Sequence, residues 1–455
     1  MDYSILSRSY DLRGIYRVDI DDDFYYRLGY AFAKVTGAAR IVLGYDARLS
    51  SPTLKNAFTR WVSLAGSTII DIWLCSSDML SFATCHYDDI DAGVMITASH
   101  NPKEYNGMKS LAHTGEPYNL KKYGADMAKI MEDMAAEKWG MVEKIEQRNV
   151  LSDWITHIYT FLTTKNFSQM KIVCDGWNGS AWAFVEALCA KWDIDLIPLF
   201  LTPDGEFPNH HPNPMLEKNR EDAKQAILDQ GAQLAFIFDG DADRVIVLDE
   251  TWEQINSAIL SAIIAESILT KEPSANFCGN AVASHNFRDF VEERWSRYVR
   301  EMVGHVYIRE TMMHDRSIAF AGEHSAHYFL RDNYFMDSWV VAGMIFLDLL
   351  VRSWQTASEF TAAYKRYITL EETNFEVRNP KAAIARLAEI YKSEKYDLFD
   401  GITVEYVDGS WWNFRPSSNE PLLRFNMEGK TQERFDALYA EIMVHIRSFG
   451  EASED

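Results

Sequence analysis

Arg40-Ile41-Val42-Leu43-Gly44-Tyr45-Asp46, followed by Ser51-Pro52-Thr53-Leu54-Lys55-Asn56-Ala57-Phe58, is the stretch on which the fold turns. The first run is apolar, of strand length, and ends in a polar loop, the pattern of a buried strand. Ser51 then reads as an N-cap with Pro52 at the first helical position, and apolar periodicity carries the helix toward Leu64. Thr68 to Leu74 and Gly93 to Thr97 read as further strands. This alternation argues for a layered α/β domain.

Working outward, the same texture recurs. A second unit starts near Ser152, with strands at Lys171–Cys174, Leu234–Phe238 and Val245–Leu248 and a helix over Ser180–Trp192. A third, from about Thr251, holds two long apolar helical segments near Ile255–Leu269 and Trp339–Trp354. The last unit differs. Glu371–Val377, Gly401–Tyr406, Trp411–Arg415 and Leu422–Met427 read as strands, with helices at Pro380–Tyr391 and Thr431–Phe449. The expected organisation is therefore three α/β domains (1–150, 151–250 and 251–368) and a smaller α+β domain (369–455). A chain of 455 residues has room for this at ordinary domain sizes.

Charge narrows the partners. With 45 Lys and Arg against 67 Asp and Glu, the formal net charge is −22. Such a surface repels nucleic acid and anionic membranes. An anionic substrate would need a local positive pocket set against that field. Five cysteines, none in CxxC spacing, argue against a disulfide framework or a zinc site. Without a signal-like start or a membrane-length apolar run, the expected location is the cytoplasm.

Four polar segments carry candidate chemistry. Thr97-Ala98-Ser99-His100-Asn101-Pro102, continuing to Tyr105-Asn106-Gly107-Met108-Lys109, offers small residues, a hydroxyl nucleophile and a cation; a plain Ser/Asn/Pro turn is the alternative. Asp239, Asp241 and Asp243 alternate after an apolar strand, so on an extended segment their carboxylates would converge on a hard cation, with Arg244 beside them. An EF-hand would place an acid at its twelfth position, where Glu250 stands, but its sixth position needs Gly and holds Arg244. A DxDxT phosphatase motif would need Thr where Asp243 stands. Glu323, Ser325 and His327 alternate and suit sugar hydroxyls. Arg415-Pro416-Ser417-Ser418-Asn419-Glu420-Pro421 suits a phosphate or a plain hairpin turn.

Together these segments resemble the α-D-phosphohexomutase family, in order along nearly the whole chain. Ser9 to Gly14 is similar to its YDIRG segment, Thr97 to Lys109 to its TASHNP…NGxK loop, Asp239 to Arg244 to its DGDxDR loop, Glu323 to His327 to its GExSxH loop, and Arg415 to Pro421 to its C-terminal phosphate loop. The resemblance implies four domains around a central cleft. It implies a phosphohexomutase that interconverts hexose 6-phosphate and hexose 1-phosphate, mannose before glucose, through phospho-Ser99 and a hexose 1,6-bisphosphate. Mg²⁺ would sit on Ser99, Asp239, Asp241 and Asp243. Lys109 would be the general acid/base, its pKa pulled toward neutrality, with His100, Arg13 and Arg244 assisting. Glu323, Ser325, His327 and His305 would bind the sugar. Arg415, Ser417, Ser418, Asn419 and Arg424 would bind the distal phosphate. The expected partners are hexose phosphates, with the chain a monomer or homodimer.

Three departures stand out. Ser418-Asn419 replaces Asn-Thr or Gly-Thr. Trp339 follows Asp337-Ser338 where Gly is common, and is expected to reshape the cleft wall. The Cys278–Ala281 strand lacks a basic residue, which His305 and Arg309 would offset. These departures motivate an alternative: a catalytically weak relative that binds sugar phosphates and acts through a partner. A phosphatase acting through Asp239 is a third reading, and it leaves the Ser99 loop unexplained.

Overall fold

A computed structural model of the chain describes residues 2–134, 144–164, 166–210, 217–370, 372–377, 379–417, 422–447 and 449. Two compact units emerge, one of Met1–Ile255 with Phe329–Phe360, the other of Asn256–Tyr328 with Thr361–Asp455.

In the first unit, one sheet is built from β1 (Leu12–Ile15), β2 (Arg40–Tyr45), β3 (Thr68–Leu74), β4 (Ala92–Ile96), β5 (Tyr105–Ala112) and β6 (Ile145–Gln147), in the order β1-β5-β4-β2-β3-β6. Strand β2 runs parallel to β3 and β4, whereas β5 returns antiparallel between β4 and β1. Every residue of β4 is buried, which is why it reads as an unbroken apolar run. Helices Asp22–Thr36 and Ser51–Leu64 cover this sheet with Phe24, Leu28, Phe32 and Phe58. Each such side chain removed from water contributes roughly 1.5–3 kcal/mol. A second sheet holds β7 (Lys171–Asp175), β8 (Asp195–Leu199), β9 (Leu234–Phe238) and β10 (Val245–Asp249), in the order β10-β9-β7-β8.

The second unit carries β11 (Asn276–Asn280), β12 (Tyr298–Glu301) and β13 (Ile318–Gly322), with β11 parallel to both others. Strand β14 (Tyr328–Leu330) starts at the end of this stretch, and its Phe329 and Leu330, already of the first unit, pair antiparallel with β15 (Met336–Asp337) of that unit. The last sheet is antiparallel: β16 (Ile368–Thr369), β17 (Thr373–Glu376), β18 (Lys395–Asp397), β19 (Ile402–Glu405), β20 (Trp411–Pro416) and β21 (Leu422–Gly429). Trp412, Phe414, Phe425 and Leu438 are among its fully buried core residues.

A repeat emerges that the residues conceal. The parallel cores β3-β2-β4, β8-β7-β9 and β12-β11-β13 share one strand order. After each third strand the chain passes through a polar loop into a return strand. Those loops carry Ser99, Asp239 and Glu323 at the carboxyl ends of their strands, where open α/β sheets gather ligands.

Local expectations shift in two places. Ser51 is the first helical residue and Ser50 the cap position, because the Ser51 hydroxyl is drawn back to Asp46 Oδ1 at 2.5 Å. Tyr105 to Lys109, expected as loop, belongs to β5, so Lys109 projects from a strand.

Strand β1 lies so close that a Cβ on Gly107 would stand 2.0 Å from the Leu12 carbonyl oxygen. Backbone cannot yield there as a side chain would. Gly107→Ala is expected to lower unfolding free energy by roughly 1–3 kcal/mol, measured by urea denaturation; unchanged stability would refute this close approach.

Candidate active site

The Ser99 loop hangs on one buried guanidinium. Arg48 donates through Nε to Asp46 Oδ2 (3.0 Å), through Nη1 to the carbonyls of Pro102 (2.6 Å) and Tyr105 (3.0 Å), and through Nη2 to those of Ser99 (2.8 Å) and Asn101 (2.7 Å). All five of its N–H groups are used. Ser99 itself sits at φ 51°, a left-handed conformation uncommon for a residue with a Cβ. Its N–H donates to Thr97 Oγ1 at 2.9 Å, and Arg13 Nη1 donates to the Thr97 carbonyl at 2.6 Å. Asn106 anchors β5 by donating to Ser50 and Ser51 hydroxyls at 2.8 and 2.9 Å.

Across from this loop, in the same unit, stands the acidic turn after β9. Ser99 Oγ donates to Asp239 Oδ2 at 3.0 Å, and Arg244 Nη2 donates to Ser99 Oγ at 3.2 Å. Arg244 also pairs with Asp239 at 3.0 Å and contacts His100 Nδ1. The three carboxylates do converge, but not by extended alternation. Residues 239–243 form a turn with Ala242 at φ 53°. The turn closes because the N–H groups of Asp243 and Arg244 return to Asp239 Oδ1 at 3.1 and 3.2 Å. One oxygen from each of Asp239, Asp241 and Asp243 lies within 4.8 Å of the others. Burial and the nearby Asp243 push the Asp239 pKa up to about 7. Asp241 Oδ1 is buried with no hydrogen-bond partner. A donor set of hard oxygens, crowded like charges and an orphaned carboxylate oxygen fits a divalent cation such as Mg²⁺.

Lys109 departs from expectation. Its ammonium donates to Asp241 Oδ2 at 2.7 Å and to Asp243 Oδ2. Burial alone would lower its pKa, but Asp241 and Asp243 raise it above the ordinary lysine value, so it is charged rather than near neutrality. His100 moves the other way. Desolvation, then the cations Arg244, Arg13 and Lys109, push its pKa down, leaving a neutral imidazole whose Nδ1 lies 3.3 Å from Ser99 Oγ.

The second unit assembles a different set. Glu323, almost wholly buried, accepts from Asn280 Nδ2 at 3.0 Å and from the Gly304 N–H at 3.4 Å, beside His305 at the start of helix His305–His314. Glu323 to His327 is a turn closed by Glu323 N–H on the His327 carbonyl (2.9 Å), not the expected alternating strand; Ser325 and His327 are half-buried in it. Glu372 ties this turn to the last sheet. Its carboxylate meets His324 Nε2 (3.3 Å), Arg415 Nη2 (3.4 Å), Arg424 Nη1 (2.8 Å) and Asn426 Nδ2 (3.2 Å). Burial opposes ionisation, yet His324, Arg415 and Arg424 hold its pKa well below the carboxylate range. Ser417 follows β20; Ser418 and Asn419 lie outside the described residues.

Family models match in register along the chain: phosphoglucomutase/phosphomannomutase alpha/beta/alpha domain I over residues 4–139, domain II over 152–252, domain III over 256–367, and the C-terminal domain over 372–444. The chain belongs to the phosphoglucomutase/phosphomannomutase family. A phosphomannomutase of Escherichia coli K12 is 31% identical over 434 residues, covering 93% of this chain and 94% of that one. A protein of Xanthomonas campestris pv. campestris described as phosphohexose mutases is 31% identical over 428 residues, covering 92% and 94%. The crystal structure of a family protein from Burkholderia thailandensis superposes with a TM-score of 0.87 at 25% identity, covering 100% and 99%. This phosphohexomutase is therefore an isomerase of the intramolecular phosphotransferase type, in a family that is typically metal-dependent. No helix among the described residues is long and apolar enough to cross a membrane.

Within this mutase, the structure brings Ser99, His100, Lys109, Asp239, Asp241, Asp243 and Arg244 together, with Arg13 bonded to the same loop. It brings Arg415 and Arg424 onto Glu372. Reasoning from the residues missed Arg48, His324, Asn280 and Glu372, and also Ser77, whose hydroxyl donates to Asp241 Oδ2 at 2.7 Å. Asp46-x-Arg48 at a strand end was a usable signal, an acid and a base close enough to pair. Asn280 stands in the strand noted as lacking a base, and it bonds both Glu323 and His324 Nδ1 (3.1 Å). Arg48→Met would leave Asp46 buried without its counter-ion. Its expected cost is roughly 3–5 kcal/mol, read from the urea midpoint; a stable variant would show that the loop is held by other means.

Proposed function

We propose that the chain interconverts hexose 6-phosphate and hexose 1-phosphate, mannose before glucose, with Ser99 as the group that carries the phosphoryl. The observation that supports this best is Ser99 Oγ set 3.0 Å from Asp239 and 3.2 Å from Arg244, on a loop locked by Arg48. Phospho-Ser99 would donate its phosphoryl to one hydroxyl of a hexose monophosphate, giving a hexose 1,6-bisphosphate. Ser99 would then take back the phosphoryl from the other end, so no phosphate is released overall.

Asp239, Asp241, Asp243 and Ser99 would hold Mg²⁺, which supplies charge neutralisation at the transferring group. Arg244 and Arg13 would stabilise the equatorial oxygens. Lys109 would give or take the hydroxyl proton once its carboxylate partners are engaged elsewhere, and neutral His100 would orient the Ser99 hydroxyl. In the second unit, Glu323, Ser325, His327 and His305 would read the sugar, and Arg415, Ser417, Ser418, Asn419 and Arg424 the distal phosphate. The domain boundaries 1–150, 151–250, 251–368 and 369–455 form part of this reading.

The test is turnover of mannose 1-phosphate to mannose 6-phosphate, with glucose phosphates in parallel, in Mg²⁺ and catalytic bisphosphate. Ser99→Ala is expected to lower kcat by at least about 10³-fold, in the range typical of a lost nucleophile, and chelation to abolish turnover. Net phosphate release would support the phosphatase reading. A folded, phosphorylated chain inert toward every hexose phosphate would support the binding-protein reading.

A further inference from the structure

Trp339 does not line an open wall. It is 5% exposed, and its indole sits on the acidic turn. The Nε1–H donates to the Ala242 carbonyl at 2.8 Å. The ring packs edge-on to Phe238, the last residue of β9, at 4.3 Å between centroids, with Phe236 and Phe184 at 5.9 and 6.4 Å.

That carbonyl belongs to the peptide joining Ala242 to Asp243. The same peptide's N–H donates to Asp239 Oδ1 at 3.1 Å. One peptide plane is thus held at both ends, by the indole on its oxygen and by a carboxylate on its nitrogen. Ala242 is at φ 53°, a region that a residue with a Cβ leaves readily unless it is restrained. Without the indole, that plane keeps only its bond to Asp239 as a restraint. Rotation would withdraw a donor from Asp239 and re-aim the Asp243 side chain.

Trp339 is itself held in place. It opens helix Trp339–Ser353, whose cap residue Ser338 donates its hydroxyl to buried Asp78 Oδ2 at 2.8 Å. The neighbouring Ser77 also holds the turn, through its hydroxyl on Asp241 Oδ2 (2.7 Å) and its N–H on the Asp241 carbonyl (3.0 Å). The turn is therefore held at Asp241 by Ser77 and at Ala242 by Trp339, and the two holders are linked through Ser338 and Asp78.

We infer that Trp339 is a positioning residue for the divalent cation, presetting the carboxylates of Asp239 and Asp243 through the Ala242–Asp243 peptide. The inference rests on the metal reading proposed above and adds a residue outside its donor set.

Trp339→Phe keeps the ring packing and deletes the N–H. Calorimetric titration of the full-length protein with Mg²⁺ is expected to show binding weaker by about 5- to 150-fold, the range for a buried carbonyl left without its donor. At saturating Mg²⁺ the KM for hexose phosphate is expected to stay within about twofold, because the sugar contacts are untouched. Trp182→Phe, an exposed indole of the same unit, is the control and should bind Mg²⁺ as the parent does. Unchanged Mg²⁺ affinity in folded Trp339→Phe would overturn the inference and leave the metal reading standing. A parent chain that binds no Mg²⁺ would overturn both. Should the variant not fold, the parent's exchange-protected indole ¹⁵N–H resonances provide the second test. One of them is expected to shift on Mg²⁺ addition, and no shift in any of them would overturn the inference.

Discussion

A buried arginine surrounded by main-chain oxygens is the interaction on which the first unit depends. Arg48 is nearly inaccessible to water, and a lone guanidinium there would be prohibitively costly. It is tolerable because Asp46 neutralises it and four carbonyls saturate its remaining N–H groups. The arrangement works in both directions. The loop around Ser99 cannot close without the arginine, and the arginine cannot be buried without the loop. Left-handed Ser99 is a by-product of that mutual requirement, and the hydroxyl reaches Asp239 because the main chain beneath it is held.

Electrostatics explains how an acidic chain can handle acidic ligands. The net charge of −22 would repel a hexose phosphate at long range. Locally the sign differs. Arg244 contacts Ser99, Arg13 is bonded to the Ser99 loop and Lys109 to the acidic turn, while Arg415 and Arg424 gather in the last sheet. These cations are not loose. Each described one is balanced by a carboxylate or a carbonyl, which keeps long side chains in place before any ligand arrives and reduces the ordering entropy that binding would otherwise cost.

The strand and helix pattern was legible because β2, β4 and β9 are buried along their lengths and so appear as apolar runs. The acidic triad and the Ser99 loop were legible because their spacing is local. What escaped was non-local or conformational. The charge state of Lys109 is set by Asp241 and Asp243, more than a hundred residues away, and no window of sequence joins them. The turn at Asp239 was read as extended because alternation cannot distinguish a strand from a loop whose amides fold back on its first carboxylate. Glu372 had no signal at all, being one acid among 67 Asp and Glu. Trp339 was visible as an oddity, but its sense was not: an indole placed for a wall turned out to be buried against a carbonyl.

Glu372 has a kinetic consequence. Its carboxylate already occupies the side of Arg415 and Arg424 that an anion would seek, with His324 and Asn426 completing the ring. On the proposed function, an incoming phosphate would meet cations that are already neutralised, and its association would be an exchange of counter-charges rather than a capture. Such an exchange would lower the depth of the bound well. It would also shorten residence, which suits the proposed route in which a ligand lets go and is taken up again by its other end.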